Sequence, residues 1–275
     1  MQDKPIISTL DPPFIELQSI DSTNNYALAQ IRLGSPQHGT AFFAHEQTAG
    51  KGQRGRTWEA EKGANIALSI VLEPKPLLVS MQFQLSACIA LAACKFFSRY
   101  AGADTKIKWP NDLYWQDRKA GGILIENSIS GKQETANPQP GSIGAKDPGS
   151  NSPEWKWAVA GIGVNINQTL FPDNLPNPVS LKQITGTGYS TIQLAKELNS
   201  IVNKYFNRLI QEGFGGIYKE YHDSLYKLNQ LIKLKKDNRV FLTTFMGISP
   251  AGQLITRNNK VEENFDFGEI TWIIE

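Results

Sequence analysis

The pattern of hydrophobic and polar positions predicts four helices. Segment 80–100 is rich in Ala, Leu and Phe and contains no Gly or Pro, which is typical of a long buried helix. The polar residues at 22–24 and the glycine at Gly34 predict the start and the end of a shorter helix. A further helix is expected at about 214–226. The clearest helical spacing lies in 190–210, where it is kept by Leu194, Leu198, Ile201, Val202, Tyr205 and Leu209.

Short apolar runs bounded by turn residues predict β-strands between these helices. The predicted strands are 40–47, 64–72, 105–109, 122–127 and 155–167. Because strands and helices follow one another in a mixed order, the sequence favours an α+β domain over a regular βαβ arrangement. From Leu231 onward, short β-rich runs separated by turn residues predict a small β-barrel or sandwich.

The same pattern divides the chain into candidate domains. We expect a main domain over 1–228 and a small C-terminal β-domain over 229–275. Segment 128–153 is rich in Pro, Gly and polar residues and has few apolar ones, so it cannot bury much surface. A mobile surface insertion between two strands of the sheet is therefore predicted there, and a linker between domains is the open alternative.

Composition and charge limit which classes of binding partner and which cellular location are expected. A chain of 275 residues that is 40% hydrophobic can bury one sizeable core and a small accessory domain. Lys and Arg number 28 against 26 Asp and Glu, a net charge of +2, so the overall charge does not indicate a nucleic-acid or membrane surface as partner. The N-terminal residues lack a targeting pattern, and no apolar run approaches the ~18 residues that span a bilayer. Cys88 and Cys94 are expected to be reduced, buried thiols of a cytoplasmic protein.

The stretch EQTAGKGQRGRTW, residues 46–58, connects two predicted strands and combines three glycines with three basic residues. Glycine lets backbone amides approach an anion and basic side chains supply charge-assisted donors, so this loop predicts phosphate or carboxylate recognition. Its spacing matches the dinucleotide-binding fingerprint, but that motif must open a helix, whereas this loop leads into a strand. Trp58 either covers an aromatic base or, as its residue type alone favours, fastens the loop to the core.

Two further stretches contain candidate chemistry. In KIKWPNDLYWQDRKAGGILIE, residues 106–126, Lys108 lies at the end of a strand and Lys119 precedes two glycines, although an ordinary solvated hairpin has the same composition. In AGIGVNIN, residues 160–167, glycines interrupt an apolar strand, which indicates the close approach of another group. Asn165 within that strand needs buried partners, which either a structural network or a ligand provides.

Taken together and in this order, STNNYA, the glycine-rich loop, GANIALSIVL, KWPNDLYWQDRKAGGILIE and GIGVNIN resemble the biotin–protein ligase family. The resemblance covers residues 19–167 and continues more weakly into the C-terminal β-domain. It implies a mixed-sheet α+β catalytic domain similar to those of class II aminoacyl-tRNA synthetases and biotin ligases, followed by a small SH3-like β-barrel. It also implies that ATP, with Mg²⁺, activates biotin to biotinyl-5′-AMP before biotin is transferred to a lysine of a biotin carboxyl carrier domain.

The resemblance assigns roles to individual residues. The implied catalytic residues are Lys108, Asp112 and Lys119. The implied biotin-binding residues are Ser22, Thr23, Asn24, Gln47, Lys51, Gly52, Gln53 and Lys119. The implied ATP- and adenylate-binding residues are Gly50, Lys51, Arg54, Arg56, Trp58, Lys108, Asn111 and Asn165. No dedicated metal ligands are implied, because Mg²⁺ would accompany the phosphates of ATP with few protein ligands.

The resemblance also bears on other partners. Fewer than 20 residues precede the first motif in this sequence and DPPF contributes two prolines, so a helix-turn-helix does not fit there. We therefore expect a monofunctional ligase without specific DNA binding and without a membrane partner, either a monomer or a weak homodimer. A lipoate ligase or transferase, and a non-catalytic biotin-binding sensor, are the alternative functions.

One departure from the family pattern concerns the glycine-rich loop. Family loops usually read Gly-Arg-Gly-Arg-x-Gly, whereas Lys51 and Gln53 occupy the two arginine positions here. Lysine keeps the charge but loses the bidentate geometry of arginine, and glutamine removes a cation. We therefore expect this loop to hold the adenylate less tightly than a loop with two arginines, unless Arg54 or Arg56 compensates.

Overall fold

The computed structural model describes residues 12–34, 36–130 and 154–274. These residues form a large mixed sheet, a smaller antiparallel sheet and five α-helices. The strands of the large sheet are β1 (Phe14–Leu17), β2 (Ala41–Ala44), β3 (Ile66–Leu72), β4 (Thr105–Lys108), β5 (Asp112–Trp115), β6 (Arg118–Ser130) and β7 (Glu154–Val164). The helices are α1 (Thr23–Arg32), α2 (Gln82–Ala101), α3 (Leu181–Thr185), α4 (Thr191–Glu212) and α5 (Phe214–Asp223).

The large sheet has the order β1-β2-β3-β7-β6-β5-β4. β1 and β2 are parallel and all other neighbours are antiparallel, which confirms the predicted α+β class with a mixed sheet. The four predicted helices are also confirmed, within a few residues at their ends. The hydrophobic pattern does not predict β1 and β5, because each has only four residues and is defined by its neighbours in the sheet.

One face of the large sheet carries the main hydrophobic core. α2 packs across β4, β5 and β6, and α4 packs across β2 and β3 while also covering α2. Alternate residues of β7 point into this core, among them Ala158, Ala160 and Ile162. All seven residues of β3 are buried, because this central strand is covered on both faces.

The opposite face is covered only in part, by α1. Ala27 of α1 packs against Phe42, Val71 and Val159, which come from β2, β3 and β7. In β7 the residues that share the face of Val159 continue as Gly161 and Gly163, which have no side chains to fill the space beyond the helix. The fold therefore leaves a recess on this face, beside the N-terminal end of α1.

α2 is the central helix of the core. The expectation from the sequence is that no apolar run approaches the length of a membrane span. By length and composition alone, the segment Val79–Ala101 is long and apolar enough to cross a membrane. More than half of its most apolar stretch is buried within the protein, as in the core helix of a folded domain. Cys88 and Cys94 lie on this helix as free, buried cysteines, and burial raises the pKa of each thiol to about 12. Both therefore stay protonated and unreactive at neutral pH.

The smaller sheet follows α5. Its strands are β8 (Leu231–Lys236), β9 (Arg239–Ile248), β10 (Leu254–Asn258), β11 (Val261–Phe265) and β12 (Thr271–Ile273), in the order β11-β10-β9-β8-β12. Trp109 joins the two sheets: its ring packs edge-on against Phe267, and its Nε1 donates to Gly252 O at 3.0 Å. The C-terminal β-region is confirmed as an antiparallel sheet, whereas the SH3-like barrel and the domain boundary at 228/229 stay predictions.

The predicted insertion at 128–153 lies mostly outside the described residues. Its first three residues, 128–130, continue β6 and pair with β7. Residues 131–153 are not described. β6 therefore ends at Ser130, three residues inside the predicted insertion.

Candidate active site

A row of five residues crosses the large sheet on the face that α1 covers in part. Residues directly opposite each other on neighbouring antiparallel strands point to the same face. By this rule the row runs through β4, β5, β6, β7 and β3, and its members are Lys108, Asp112, Gly122, Gly163 and Ala67. The charged residues lie at one end, and the other three have at most a methyl side chain. The row therefore forms a shallow floor with a charged end.

Two glycines of β7 give other side chains room on this floor. A Cβ at Gly161 would lie 2.9 Å from Cγ of Asn24, and a Cβ at Gly163 would lie 2.5 Å from Cε2 of Trp58. Both distances are shorter than van der Waals contact, so each side chain rests directly on the glycine backbone. The predicted close approach to this strand is confirmed, and the approaching groups are Asn24 and Trp58.

The charged end of the floor combines a carboxylate with two lysines. Lys119 Nζ lies 2.7 Å from Asp112 Oδ1. Burial is the main cause that lowers the pKa of Lys108 below its ordinary value of 10.5. The charge of Asp112 opposes this shift, while the positive charges of Lys119 and Arg56 add to it. A bound anion would favour the protonated form of Lys108, so this end suits a carboxylate or a phosphate.

Two aromatic rings flank the Lys108 ammonium. Its Nζ lies 5.5 Å from the centre of the Tyr114 ring and 5.7 Å from that of Trp272. A ring attracts a cation electrostatically within about 6 Å. Tyr114 belongs to β5 and Trp272 to β12, so the smaller sheet contributes a wall of the site.

A buried polar network lies at the N-terminal end of α1. The backbone N–H and Oγ1 of Thr23 both donate to Gln47 Oε1, at 2.9 and 3.0 Å. Ser69 Oγ lies 2.7 Å from Thr23 Oγ1 and 2.6 Å from Asn24 Oδ1. Ser22, which precedes the helix, is 1% exposed. The residues that the resemblance assigns to biotin at the start of α1 are thus close to Gln47, as expected for one binding pocket.

Sequence reasoning missed two members of this network, Ser69 and Glu126. Asn24 Nδ2 donates to Glu126 Oε2 at 2.8 Å, and Lys51 Nζ lies 3.4 Å from Glu126 Oε1. Ser69 has a recognisable signal, because a serine inside the apolar run IALSIVL must find buried partners. Glu126 has no comparable signal, since a charged residue at the end of an apolar run is ordinarily solvent-exposed.

The glycine-rich loop, residues 46–58, folds back on itself. Gly52 N–H donates to Arg56 O at 2.7 Å, and Trp58 N–H donates to Gly50 O at 2.9 Å. A Cβ at Gly50 would overlap the carbonyl oxygen of Trp58, so the return of the chain requires glycine there. The loop is therefore a compact turn between β2 and β3.

Two cations of this loop have partners on other parts of the chain. Lys51 pairs with Glu126, as described above. Arg54 has a left-handed backbone, with φ 57, and its guanidinium carbon lies 4.9 Å from the centre of the Phe267 ring. The Arg54 guanidinium also fills the space that a side chain at Gly268 would need. The loop thus contacts the smaller sheet through Arg54.

The remaining loop residues have different environments. Gln53 begins the short 3₁₀ turn Gln53–Gly55 and is half-buried, whereas Arg56 is exposed. Trp58 is half-buried on the floor, and its Nε1 is a buried donor without a hydrogen-bond partner among the described residues. The Nε1 of Trp155, in the core, is likewise unpaired among the described residues, so contact of Trp58 with a ligand stays a prediction.

Asn111 and Asn165 are bonded within the protein. Asn165 Nδ2 lies 3.2 Å from Val179 O and 3.5 Å from Lys119 O. The amide of Asn111 donates to Ile123 O. Both asparagines are almost fully buried, and these bonds favour the structural interpretation of Asn165 that the sequence left open. Direct contact of either residue with an adenylate stays a prediction.

Among residues 12–34, 36–130 and 154–274, no cluster of three or more His, Cys, Asp or Glu side chains could hold a metal ion by itself. Asp112 is the carboxylate of the floor, and Lys119 already pairs with it. The described charged end of the floor therefore consists of one carboxylate and two lysines.

The sequence is similar to those of known proteins. The profile of the Biotin/lipoate A/B protein ligase family matches residues 16–145. The bifunctional ligase/repressor BirA of Salmonella typhimurium (strain LT2) is 41% identical over 259 residues, which cover 93% of this chain and 72% of that protein. The biotin–[acetyl-CoA-carboxylase] ligase of Paracoccus denitrificans is 30% identical over 248 residues, which cover 88% of this chain and 92% of that one.

The fold has solved counterparts as well. The biotin protein ligase from Aquifex aeolicus, in complex with biotin and ATP, superposes with a TM-score of 0.73 over 95% of this chain and 99% of that one. Because the two sequences are 22% identical, this similarity concerns the fold alone.

Proposed function

Because this chain belongs to the biotin–protein ligase family, we propose that it uses ATP to attach biotin to a lysine of the biotin carboxyl carrier domain of a biotin-dependent carboxylase. The observation that carries the proposal is the floor, with the buried network of α1 on one side and Lys108 on the other. A substrate with a polar neutral head and an anionic tail fits such a surface.

The reaction has two steps. In the first, a carboxylate oxygen of biotin attacks the α-phosphorus of ATP, a P–O bond forms, and pyrophosphate leaves with the electron pair of the bond that breaks. In the second, the acceptor amine, after losing its proton, attacks the carbonyl carbon of biotinyl-5′-AMP and AMP leaves. Neither step needs a protein nucleophile, so the protein contributes positioning and stabilisation of charge.

The pocket at α1 takes the ureido head of biotin. Gln47 Oε1 accepts two hydrogen bonds from Thr23, which leaves Gln47 Nε2 to donate to the ureido carbonyl. Ser22 and Asn24 complete this end of the pocket. The valeryl chain then extends over Asn24 and Trp58, which cover the glycines of β7, and brings the carboxylate to the segment Lys51, Gly52 and Gln53 and to Lys119.

The charged end takes the reacting groups. Lys108 neutralises the carboxylate and the α-phosphate as they meet, and its burial strengthens this interaction. Asp112 orients Lys119 through their ion pair. Trp58 lies beneath the adenine ring as a stacking platform, while the amide of Gly50 and the side chains of Arg54 and Arg56 approach the phosphates.

Magnesium remains a prediction, as an ion that arrives with the phosphates of ATP. Asp112, the carboxylate of the row, is the residue that could contribute an oxygen to it. When bound, Mg²⁺ neutralises charge on the phosphates. A cytoplasmic location, a monomeric or weakly dimeric state and the absence of specific DNA binding stay predictions.

Transfer to a carrier domain tests the proposal directly. The protein is incubated with labelled biotin, ATP, Mg²⁺ and an isolated biotin carboxyl carrier domain, and labelled carrier is measured. We expect labelling that requires ATP and the acceptor lysine of the carrier. Labelling with lipoate in place of biotin, or biotin binding without transfer, would contradict the proposal and favour one of the two alternative functions.

A further inference from the structure

Glu126 lies beside the α1 pocket and faces the glycine-rich loop, and the proposed reaction gives it no role. It sits on β6 directly opposite Val159, on the same face of the sheet as the glycine floor. Its Oε2 accepts from Asn24 in the α1 pocket, and its Oε1 faces Lys51 in the glycine-rich loop. One carboxylate therefore contacts both the pocket and the loop.

The charge of Glu126 is the stronger of two influences on the Asn24 amide, whose Nδ2 lies 2.8 Å from Glu126 Oε2 and 3.4 Å from the carbonyl oxygen of Leu124. An ionised carboxylate can only accept hydrogen bonds, so the amide nitrogen of Asn24 must face it. The amide oxygen then faces Ser69, and the Ser69 hydroxyl donates to it at 2.6 Å. The reverse orientation would bring an amide oxygen against a carboxylate oxygen.

This direction reaches Ser69 but is not passed on to Gln47. With the Ser69 hydrogen directed at Asn24, the single hydrogen of the Thr23 hydroxyl has two acceptors within reach, Ser69 Oγ at 2.7 Å and Gln47 Oε1 at 3.0 Å. Gln47 is oriented separately, because its Oε1 accepts from the backbone N–H of Thr23. The polar groups that Glu126 orients are therefore those of Asn24 and Ser69.

The contact with Lys51 is weaker. The Asn24 bond is 2.8 Å long and involves a buried amide, which is the geometry of a charge-assisted hydrogen bond. The Lys51 pair is 3.4 Å apart and its two side chains are 41% and 28% exposed. Pairs of this kind are worth little in water, so the main effect of Glu126 is exerted through Asn24.

We propose that Glu126 is a positioning residue of the ligase, whose carboxylate fixes the orientation of the Asn24 amide in the biotin pocket and also restrains Lys51 of the glycine-rich loop. The inference rests on the proposed function, because it takes the α1 pocket as the site of biotin. Glu126 acts through Asn24 and Lys51 and does not itself touch the reacting atoms.

Glu126→Gln is the first test, because it keeps the shape and removes the charge. Biotin alone is titrated into the full chain by calorimetry, and carrier labelling is measured at saturating biotin. We expect biotin binding about tenfold weaker, the difference between a charge-assisted and a neutral hydrogen bond, and kcat within about twofold of wild type. Glu154→Gln is the matched control: Glu154 pairs with Lys75 at the distant end of β7 and should leave both quantities unchanged.

The second test moves the carboxylate from position 126 to position 24. It distinguishes a positioning role of Glu126 from a general loss of structure in the variants. Asn24→Asp places two carboxylates against each other and should weaken biotin binding more than a hundredfold. Adding Glu126→Gln restores one donor and one acceptor in that pair. We expect the double variant to bind biotin at least tenfold more tightly than Asn24→Asp alone.

The outcomes separate this inference from the proposed function. If wild type labels the carrier but Glu126→Gln binds biotin like wild type, or the double variant gives no recovery, the positioning role is wrong and the ligase function stands. If wild type neither binds biotin nor labels the carrier, the proposed function itself is wrong. Circular dichroism and thermal melting of each variant show whether it is folded. If a single variant is unfolded, biotin binding by a folded Asn24→Asp, Glu126→Gln double variant still decides the question.

Discussion

The two ends of the recess are built differently. At the α1 end, Thr23, Asn24 and Ser69 are almost fully buried, and Ser69 is hydrogen-bonded to both of the others. In the glycine-rich loop, Lys51 is paired with a carboxylate and Arg54 is stacked on an aromatic ring of the smaller sheet. The pocket is therefore preorganised for its ligand, whereas the cations of the loop have partners of their own.

This difference assigns separate tasks to the two regions. A preorganised pocket binds without a large loss of conformational entropy, which suits recognition of one defined head group. Lys51 and Arg54 must leave their present partners before they can contact a ligand, so they bind it more weakly. They can, however, change position when the ligand changes from a carboxylate to an acyl-adenylate. Variants at the charged end and in the loop should therefore change chemistry and retention of the adenylate, and variants at the α1 end should change biotin affinity.

Lys108→Met should produce the largest effect and tests whether chemistry belongs to the charged end. The buried ammonium between Tyr114 and Trp272 has no substitute at that point of the floor. We expect kcat/KM for carrier labelling to fall by about a hundredfold or more, as for loss of one preorganised electrostatic contact. Binding of biotin alone, measured by calorimetry, should change by less than about tenfold.

Lys106→Met is the matched control for this variant. Lys106 lies two residues earlier on β4 and lines a separate surface cavity with Asp104 and Asp117. It should leave carrier labelling nearly unchanged. If Lys108→Met instead abolished biotin binding and spared the rate at saturating biotin, the division of tasks between the two regions would be wrong.

Gly161→Ala and Gly163→Ala allow the α1 pocket and the glycine-rich loop to be compared by substitutions in the same strand, β7. A methyl group at Gly161 displaces Asn24, and one at Gly163 displaces Trp58. Overpacking of this kind costs about 1–3 kcal/mol, so we expect roughly tenfold to hundredfold effects. The first variant should weaken biotin binding in calorimetry. The second should raise the KM for ATP and leave the affinity for biotin alone within about threefold.

Gly215→Ala provides the control for the pair, because a Cβ at this position of α5 meets nothing within 4 Å. Both floor variants should differ from it in ligand binding more than in thermal stability. Equal effects of Gly161→Ala and Gly163→Ala on biotin binding would show that the recess behaves as one unit rather than as two regions.

The pH dependence of binding should differ between the two ends. Burial lowers the pKa of Lys108 in the free protein, and a bound anion favours its charged form. Affinity for the acyl-adenylate should therefore fall as pH rises through the lowered pKa of Lys108, by at most about tenfold per pH unit. Binding of biotinol, which has the ureido head but no carboxylate, should be independent of pH over the same range.

Lys108 affects the pH dependence of folding stability in the opposite direction to that of anion affinity. Because the unfolded chain keeps the ordinary pKa of 10.5 at Lys108, it binds more protons than the folded chain between the lowered value and 10.5. The contribution of Lys108 to folding stability therefore rises with pH in that window while anion affinity falls. Lys108→Met should remove both dependences, and a pH profile of adenylate binding that survives this substitution would locate the titrating group elsewhere.

The two regions also differ in how far their sequence predicts their structure. Local patterns predicted the helix that starts near Thr23, the strand end at Lys108 and the glycines of β7, because spacing and turn chemistry are local properties. The pairing of Asn24 with Glu126 joins residues that are 102 positions apart, and no local pattern encodes it. The stacking of Arg54 on Phe267 likewise depends on how the smaller sheet packs against the loop.

Gln53→Arg should give the smallest effect and tests the loop alone. Gln53 is half-buried at the start of the 3₁₀ turn and stands where related loops carry an arginine. An added guanidinium near the phosphate would slow dissociation of biotinyl-5′-AMP by about twofold to fivefold, the range of one partly exposed ion pair. Release of the adenylate is followed by stopped-flow tryptophan fluorescence, with Gln211→Arg at the exposed end of α4 as the control. Biotin affinity should change little, because the α1 pocket holds the ureido head and Gln53 lies only in the segment proposed for the carboxylate. No slowing in Gln53→Arg would mean that the other cations of the loop already hold the adenylate, and that the loop does not limit its retention.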